Sequence, residues 1–299
     1  LQQPPKLQII KQEKNIEKPI PRHIAGGFLV YSSYMKKRAI KILSHVFVLS
    51  TLALFSCSKT ETAIPVETKP PVTKPPVTPP PPEDTFALQT PGITVQKIDT
   101  KGGNISNYLL YIPDTYNSEK SYKWPVVIFL HGLGEMGSDI NVLRDAGLVK
   151  VVSGKPFVMI APQCLSGWWN PQYLDVVYKE VLAKYHVDPS RIYLTGLSMG
   201  GFGTWDWSSA HPEKFAAIIP ISGGGDVNRM PALKTMPTWV FHSADDPIVN
   251  VENSRVLVNA LKALGGNVQY TEYPTGGHDA WTRTYANPDV YTWLLKQHK

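Results

Sequence analysis

Eight short apolar runs, separated by stretches with helix signals, fill the chain from residue 93 to residue 274, and this alternation limits the possible folds more than any other feature. The runs are ITVQKI (93–98), NYLLYIP (107–113), VVIFLH (126–131), FVMIAP (157–162), RIYLTG (191–196), AAIIPIS (216–222), TWVFHS (238–243) and VQYTEYP (268–274). The central runs are continuously apolar, as strands buried on both faces must be, whereas the first two alternate and read as an antiparallel pair at one edge. Helix signals fall between them. One helix starts at Asn170-Pro171 and runs to about Tyr185, a second follows Ser198, a third runs from about Val251 to Leu264 before Gly265-Gly266, and a last begins at Asn287-Pro288. No internal repeat is present. The pattern predicts an α/β fold with a mostly parallel central sheet flanked by helices. Connections too short for a separate lid domain put the expected site in open loops at the carboxyl ends of the strands.

The rest of the 299-residue chain reads as an address. Residues 1–82 carry a net charge of +8 and residues 83–299 a net charge of −2, so the folded part is not basic and a phosphate-tracking surface for nucleic acid has no support. From Met35 the order is a basic start, an apolar run from Val46 to Phe55 and then Cys57, the layout of a secretory signal rather than a membrane span. LFSC at 54–57 resembles a bacterial lipobox, although Phe55 is bulkier than the usual residue there, and marks Cys57 for lipidation. Nine prolines in residues 65–82 make an extended spacer. The expected organisation is therefore a disordered overrun upstream of a true start at Met35 (1–34), a lipoprotein signal peptide (35–56), a Pro-rich linker (57–86) and a catalytic domain (87–299). The protein is expected outside the cytoplasm, tied to a bacterial membrane through the lipid alone. With Cys57 in the anchor, only Cys164 is left, and no disulfide can form within the domain.

Residues 194–201, LTGLSMGG, set Ser198 between the strand RIYLTG and a helix beginning MGGFGTWDWSSA. A glycine-rich strand-turn-helix is the local structure that presents a nucleophilic serine, while a serine capping the next helix is the plainer alternative. A serine hydroxyl needs a base to take its proton. His278, in the glycine-rich loop PTGGHDAW after the last strand, is the best placed, whereas His186, His211 and His242 lie at element ends and read as structural. An acid must hold that histidine's tautomer, and FHSADDPIV offers Asp245 and Asp246 just beyond a strand end. Oxyanion donors are expected in the backbone N–H groups of Leu133, in HGLGE after VVIFL, and of Met199, with His131 organising the loop. Trp168 and Trp169 in APQCLSGWWN, which either line the cleft or pack under their loop, and Trp281 after His278 are candidate substrate-binding residues, while Trp205 and Trp207 read as core.

FLHGLGE, APQ, LTGLSMGGFGTW, HPEKFAAIIPISGGG, FHSADDPIV and GGHDAWTRTYANPDVYTWLL together resemble the α/β-hydrolase superfamily over about residues 93–298. Within it the chain is similar to carbohydrate esterase family 1, with its feruloyl and acetylxylan esterases, to polyhydroxybutyrate-depolymerase-like proteins and to a group of predicted peptidases. The resemblance implies an α/β-hydrolase fold, acyl transfer to water, and no metal or organic cofactor. It also favours Asp246 over Asp245 as the acid and gives Ser198, Asp246 and His278 the chain order of that fold. The expectation is an extracytoplasmic serine esterase working through an acyl-enzyme, with acyl or feruloyl esters of plant polysaccharide as the candidate substrates. The rivals are a serine peptidase with the same triad and, from another class, a catalytically silent surface glycan-binding protein. A lipase is disfavoured because no lid is evident.

Overall fold

The computed structural model describes residues 86–299; the signal, lipidation and spacer expectations for residues 1–85 lie outside the described residues. Eight strands follow in chain order: β1 (Gly92–Lys97), β2 (Ile105–Ile112), β3 (Trp124–Leu130), β4 (Val158–Cys164), β5 (Val187–Leu197), β6 (Ala217–Ile221), β7 (Thr238–Ser243) and β8 (Val268–Tyr273). The helices are α1 (Pro171–Lys184), α2 (Met199–Ala210), α3 (Glu252–Ala263), α4 (Ala280–Ala286) and α5 (Pro288–Leu294). All strands join one sheet in the order β1-β2-β4-β3-β5-β6-β7-β8. β2 runs antiparallel to both β1 and β4, and every other pairing is parallel.

Side-chain alternation along β3 shows how the core is split. Val126, Ile128 and Leu130 point into a layer shared with Leu174 and Val177 of α1, Trp205 and Trp207 of α2, and Leu257 of α3. Val127 and Phe129 point to the opposite layer, shared with Val149, Val152, Tyr285 of α4 and Leu294 of α5. A strand covered on both sides has no wet face, which is why its sequence is continuously apolar. Trp205 and Trp207 are both buried, as the sequence suggests.

Local chemistry sets the helix ends. Asn170 caps α1 by accepting the Gln172 N–H at 2.9 Å, and Asn287 caps α5 by accepting the Asp289 N–H at 3.0 Å, each followed by Pro at the first helical position. α3 ends where Gly265, at φ 68°, lets the chain turn away. Two features are not evident in the apolar pattern. α4 is only seven residues long and depends on Asp279 accepting the Thr282 N–H at 3.0 Å. The segment between β3 and β4 is built from short 3-10 turns at Leu133–Glu135, Ile140–Asp145 and Val149–Val151. Among the described residues no helix is long and apolar enough to cross a membrane.

Candidate active site

Because β3, β5, β7 and β8 lie in the parallel part of the sheet, the loops that follow them emerge at one end. Those four loops carry the residues after Leu130, Leu197, Ser243 and Tyr273. They hold Ser198, Asp246, His278 and Leu133, while Met199 begins α2 directly after Ser198.

Ser198 occupies the single residue between β5 and α2, at φ 52° and ψ −117°. A non-glycine residue in that region is strained by roughly 1–3 kcal/mol and needs surroundings that enforce it. Its N–H donates to the Ile221 carbonyl at 3.0 Å, and its own carbonyl accepts the Phe202 N–H at 3.0 Å. The glycines on either side let the turn approach neighbouring backbone closely: a Cβ on Gly196 would lie 2.4 Å from the Gly200 carbonyl oxygen. The hydroxyl makes no cap bond to α2, so the plainer reading of Ser198 as a helix cap does not hold.

His278 reaches this serine from the loop after β8. Its Nε2 lies 2.8 Å from Ser198 Oγ, and its Nδ1 lies 2.7 Å from Asp246 Oδ2. A carboxylate only accepts, so Nδ1 carries the proton and Nε2 is left free to accept the serine hydroxyl. The loop bends through Gly276 (φ 143°) and Gly277 (φ 56°). Asp245 holds it there, accepting the Gly277 N–H at 2.8 Å and the Gly276 N–H at 3.3 Å. Asp246 has a fully buried side chain, and its Oδ1 accepts the Ile248 and Val249 N–H groups, each at 2.9 Å. The two neighbouring aspartates thus divide the work, one bonded to the histidine ring and the other to the backbone of the two glycines that precede it.

Leu133 and Met199 each begin a helical turn, where an N–H has no intrahelical acceptor. The Leu133 loop lies against the serine, since a Cβ on Gly132 would sit 3.6 Å from Ser198 Cβ. Three side chains stiffen this loop. Glu135 accepts the Gly132 N–H at 2.9 Å, and Gln163 donates to the Glu135 carbonyl at 2.5 Å. His131 is fully buried, with Nε2 accepting the Cys164 N–H at 3.0 Å and Nδ1 2.6 Å from the Gly132 carbonyl. Its Nδ1 therefore carries the proton, and burial lowers its pKa to about 4, which keeps it neutral.

The three candidate substrate tryptophans separate. Trp168 is 37% exposed and meets Phe202 of α2 edge to face at 5.9 Å. Trp281 stands edge-on to the His278 ring at 5.2 Å. Trp169 takes the packing alternative: it is 2% exposed and its Nε1 donates to the His131 carbonyl at 3.1 Å, so it braces the loop after β3 rather than lining a cleft. Cys164 is a free, buried thiol whose pKa burial pushes up to about 11, the opposite of an activated cysteine. Among the described residues no cluster of three or more His, Cys, Asp or Glu could hold a metal ion.

Three further residues escaped the sequence reading: Glu135, Gln163 and, as a neighbour of the acid, His242. The acidic residue in HGLGE was the only signal for the first. Nothing in the sequence marks Gln163 as aimed at that loop.

The family of phospholipases and carboxylesterases matches residues 171–294, the stretch that contains Ser198, Asp246 and His278. The chain has an α/β-hydrolase-type fold. Its eight-stranded sheet matches that of a thermostable esterase of known structure, with 38% identity and a TM-score of 0.60 over 69% of this chain and 63% of the other. Among curated relatives, a probable feruloyl esterase C of Aspergillus terreus is 26% identical over 54% of this chain and 63% of its own. A bifunctional acetylxylan esterase/xylanase of Neocallimastix patriciarum is 28% identical over 43% of this chain and 20% of its own. The chain spans less than two thirds of each of these three proteins.

Proposed function

We propose that the protein is a serine hydrolase of carboxylic esters, with Ser198 as nucleophile, His278 as general base and acid, and Asp246 as the residue that orients the histidine. The observation that carries this reading is the unbroken chain of contacts, 2.8 Å from Ser198 Oγ to His278 Nε2 and 2.7 Å from His278 Nδ1 to Asp246 Oδ2. In the first half-reaction His278 Nε2 takes the hydroxyl proton while Oγ bonds to the ester carbon. The carbonyl oxygen becomes an oxyanion facing the Leu133 and Met199 N–H groups, where each donor contributes roughly 2.7–4 kcal/mol to the transition state. The imidazolium then gives its proton to the departing alcohol oxygen, leaving an acyl-Ser198 ester. Water repeats the sequence, with His278 again taking and returning one proton, and frees the acid.

Feruloyl or acetyl groups on plant polysaccharide are the proposed substrates, supported by the named activities of the fungal relatives. The exposed Trp168, next to Phe202 one turn beyond Ser198, offers a surface for an aromatic or sugar ring. The same proposal puts the enzyme outside the cytoplasm, tethered through lipidated Cys57 and spaced from the membrane by the proline-rich segment. Hydrolysis of methyl ferulate, acetylated xylan, a p-nitrophenyl acyl series and a chromogenic peptide, with Ser198→Ala as control, tests the chemistry. Ester turnover that depends on Ser198 supports it; turnover of the peptide alone would replace it with a peptidase. Cys57→Ala should release the protein from membranes, and unchanged membrane association removes the anchor.

A further inference from the structure

His242, in β7 four residues before Asp246, has a fully buried side chain. Its Nε2 lies 2.9 Å from the Val249 carbonyl oxygen and 3.3 Å from Asp246 Oδ2, two groups that only accept. Nε2 must therefore carry the proton. Nδ1, 2.7 Å from Ser254 Oγ, is then the acceptor of the Ser254 hydroxyl. Burial lowers the pKa of this imidazole, so it remains neutral beside the carboxylate.

This geometry reaches the acid in two ways. The Nε2–H bond to Val249 closes the turn whose Ile248 and Val249 amides grip Asp246 Oδ1. The same N–H faces Oδ2, the oxygen that also receives His278 Nδ1. Without it the two amides still hold one carboxylate oxygen, but the turn that carries them loses its own anchor. The oxygen that orients His278 loses the second N–H that faces it.

We infer that His242 is a positioning residue for the hydrolytic site: it fixes the acid turn and the plane of the Asp246 carboxylate, and Ser254 fixes the His242 tautomer that allows this. The contact order is Ser254, His242, Asp246, His278, Ser198, so a side chain on α3 is linked to the nucleophile through two imidazoles. The inference rests on the reading of Ser198, His278 and Asp246 as a catalytic triad.

The test compares the full chain with His242→Leu, His242→Gln and Ser254→Ala. Active sites are counted by a fluorophosphonate probe, and kcat per labelled site, KM for a p-nitrophenyl ester and the denaturation midpoint are measured separately. His242→Leu is expected to lower kcat per labelled site about 10- to 100-fold with KM within about twofold, the size of effect of losing a hydrogen bond to a charged group. His242→Gln, which can still offer an N–H, should recover to within about threefold of wild type, and Ser254→Ala should lower kcat about three- to tenfold. If His242→Leu does not fold, Ser254→Ala and His242→Gln still decide. Wild-type kcat per site in Ser254→Ala, equal losses in His242→Leu and His242→Gln, or losses that only track the folded fraction overturn the inference while the triad stands. A wild-type protein that labels at no serine removes the triad reading, and this inference with it.

Discussion

A Cβ on Gly200 would lie 1.9 Å from the carbonyl oxygen of Leu130, the last residue of β3. Two backbones therefore touch at the point where the Ser198 turn passes the loop after β3, and the glycine is what lets them. The oxygen is main chain and cannot swing aside, so Gly200→Ala should cost about 3 kcal/mol or more, or prevent folding. Urea denaturation of the two proteins checks this. A loss under about 1 kcal/mol would mean that the close approach does not exist in solution.

Asp245 and Asp246 are expected to behave differently although they are neighbours. Asp246→Asn leaves the fold intact but favours the wrong His278 tautomer, and kcat should fall about 10⁴-fold. Asp245→Ala removes the acceptor of the Gly276 and Gly277 N–H groups and should loosen the histidine loop, with kcat down about three- to tenfold. Steady-state kinetics on both variants decide the matter. An Asp245→Ala enzyme as impaired as Asp246→Asn would reverse the assignment.

The buried imidazole of His131 makes stability depend on pH. Its pKa is lowered from 6.5 to about 4, so the unfolded chain binds more protons than the folded one between those values. Stability is therefore full above about pH 6.5 and is lost as the pH falls through the folded value, by up to about 3 kcal/mol from this residue. His242, whose pKa is also lowered by burial, acts in the same direction. Denaturant midpoints should drop between about pH 7.5 and about pH 4.5, and drop less in His131→Gln. Equal pH dependence in the variant would show that His131 is not the cause.

The adjacent tryptophans should separate binding from folding. Trp169→Ala empties a buried site and removes a donor from the His131 carbonyl, so stability should fall by about 3–5 kcal/mol. Trp168→Ala removes a partly exposed ring and should change stability by less than about 1 kcal/mol while raising KM for aromatic esters. Thermal melts and KM values on both variants provide the comparison. An unchanged KM in Trp168→Ala would take that residue out of the substrate surface.

Much of this arrangement is legible in the sequence because it follows from local chemistry. Continuous apolar runs such as VVIFL mark the two-faced strands, Asn170-Pro171 and Asn287-Pro288 mark helix starts, and LTGLSMGG marks the turn at Ser198. What the sequence hides are contacts between distant segments whose residue types carry no special pattern. Trp168 and Trp169 are indistinguishable as letters, yet a one-residue step turns one ring outward and the other under the oxyanion loop. Gln163 reaches Glu135 across 28 positions, and His242 meets Asp246 only because the turn folds back on the strand end. Helix α4 is too short to show a periodic apolar face and rests on one capping aspartate.

The central claim is that Ser198 is a nucleophile activated by His278, and the most direct measurement is intact-mass and peptide mapping of the full chain after exposure to a fluorophosphonate. The account predicts one adduct per chain, located on Ser198, absent in Ser198→Ala and formed at least about 10³-fold more slowly in His278→Ala. An unmodified Ser198 in folded protein, or modification at the same rate without His278, would contradict it.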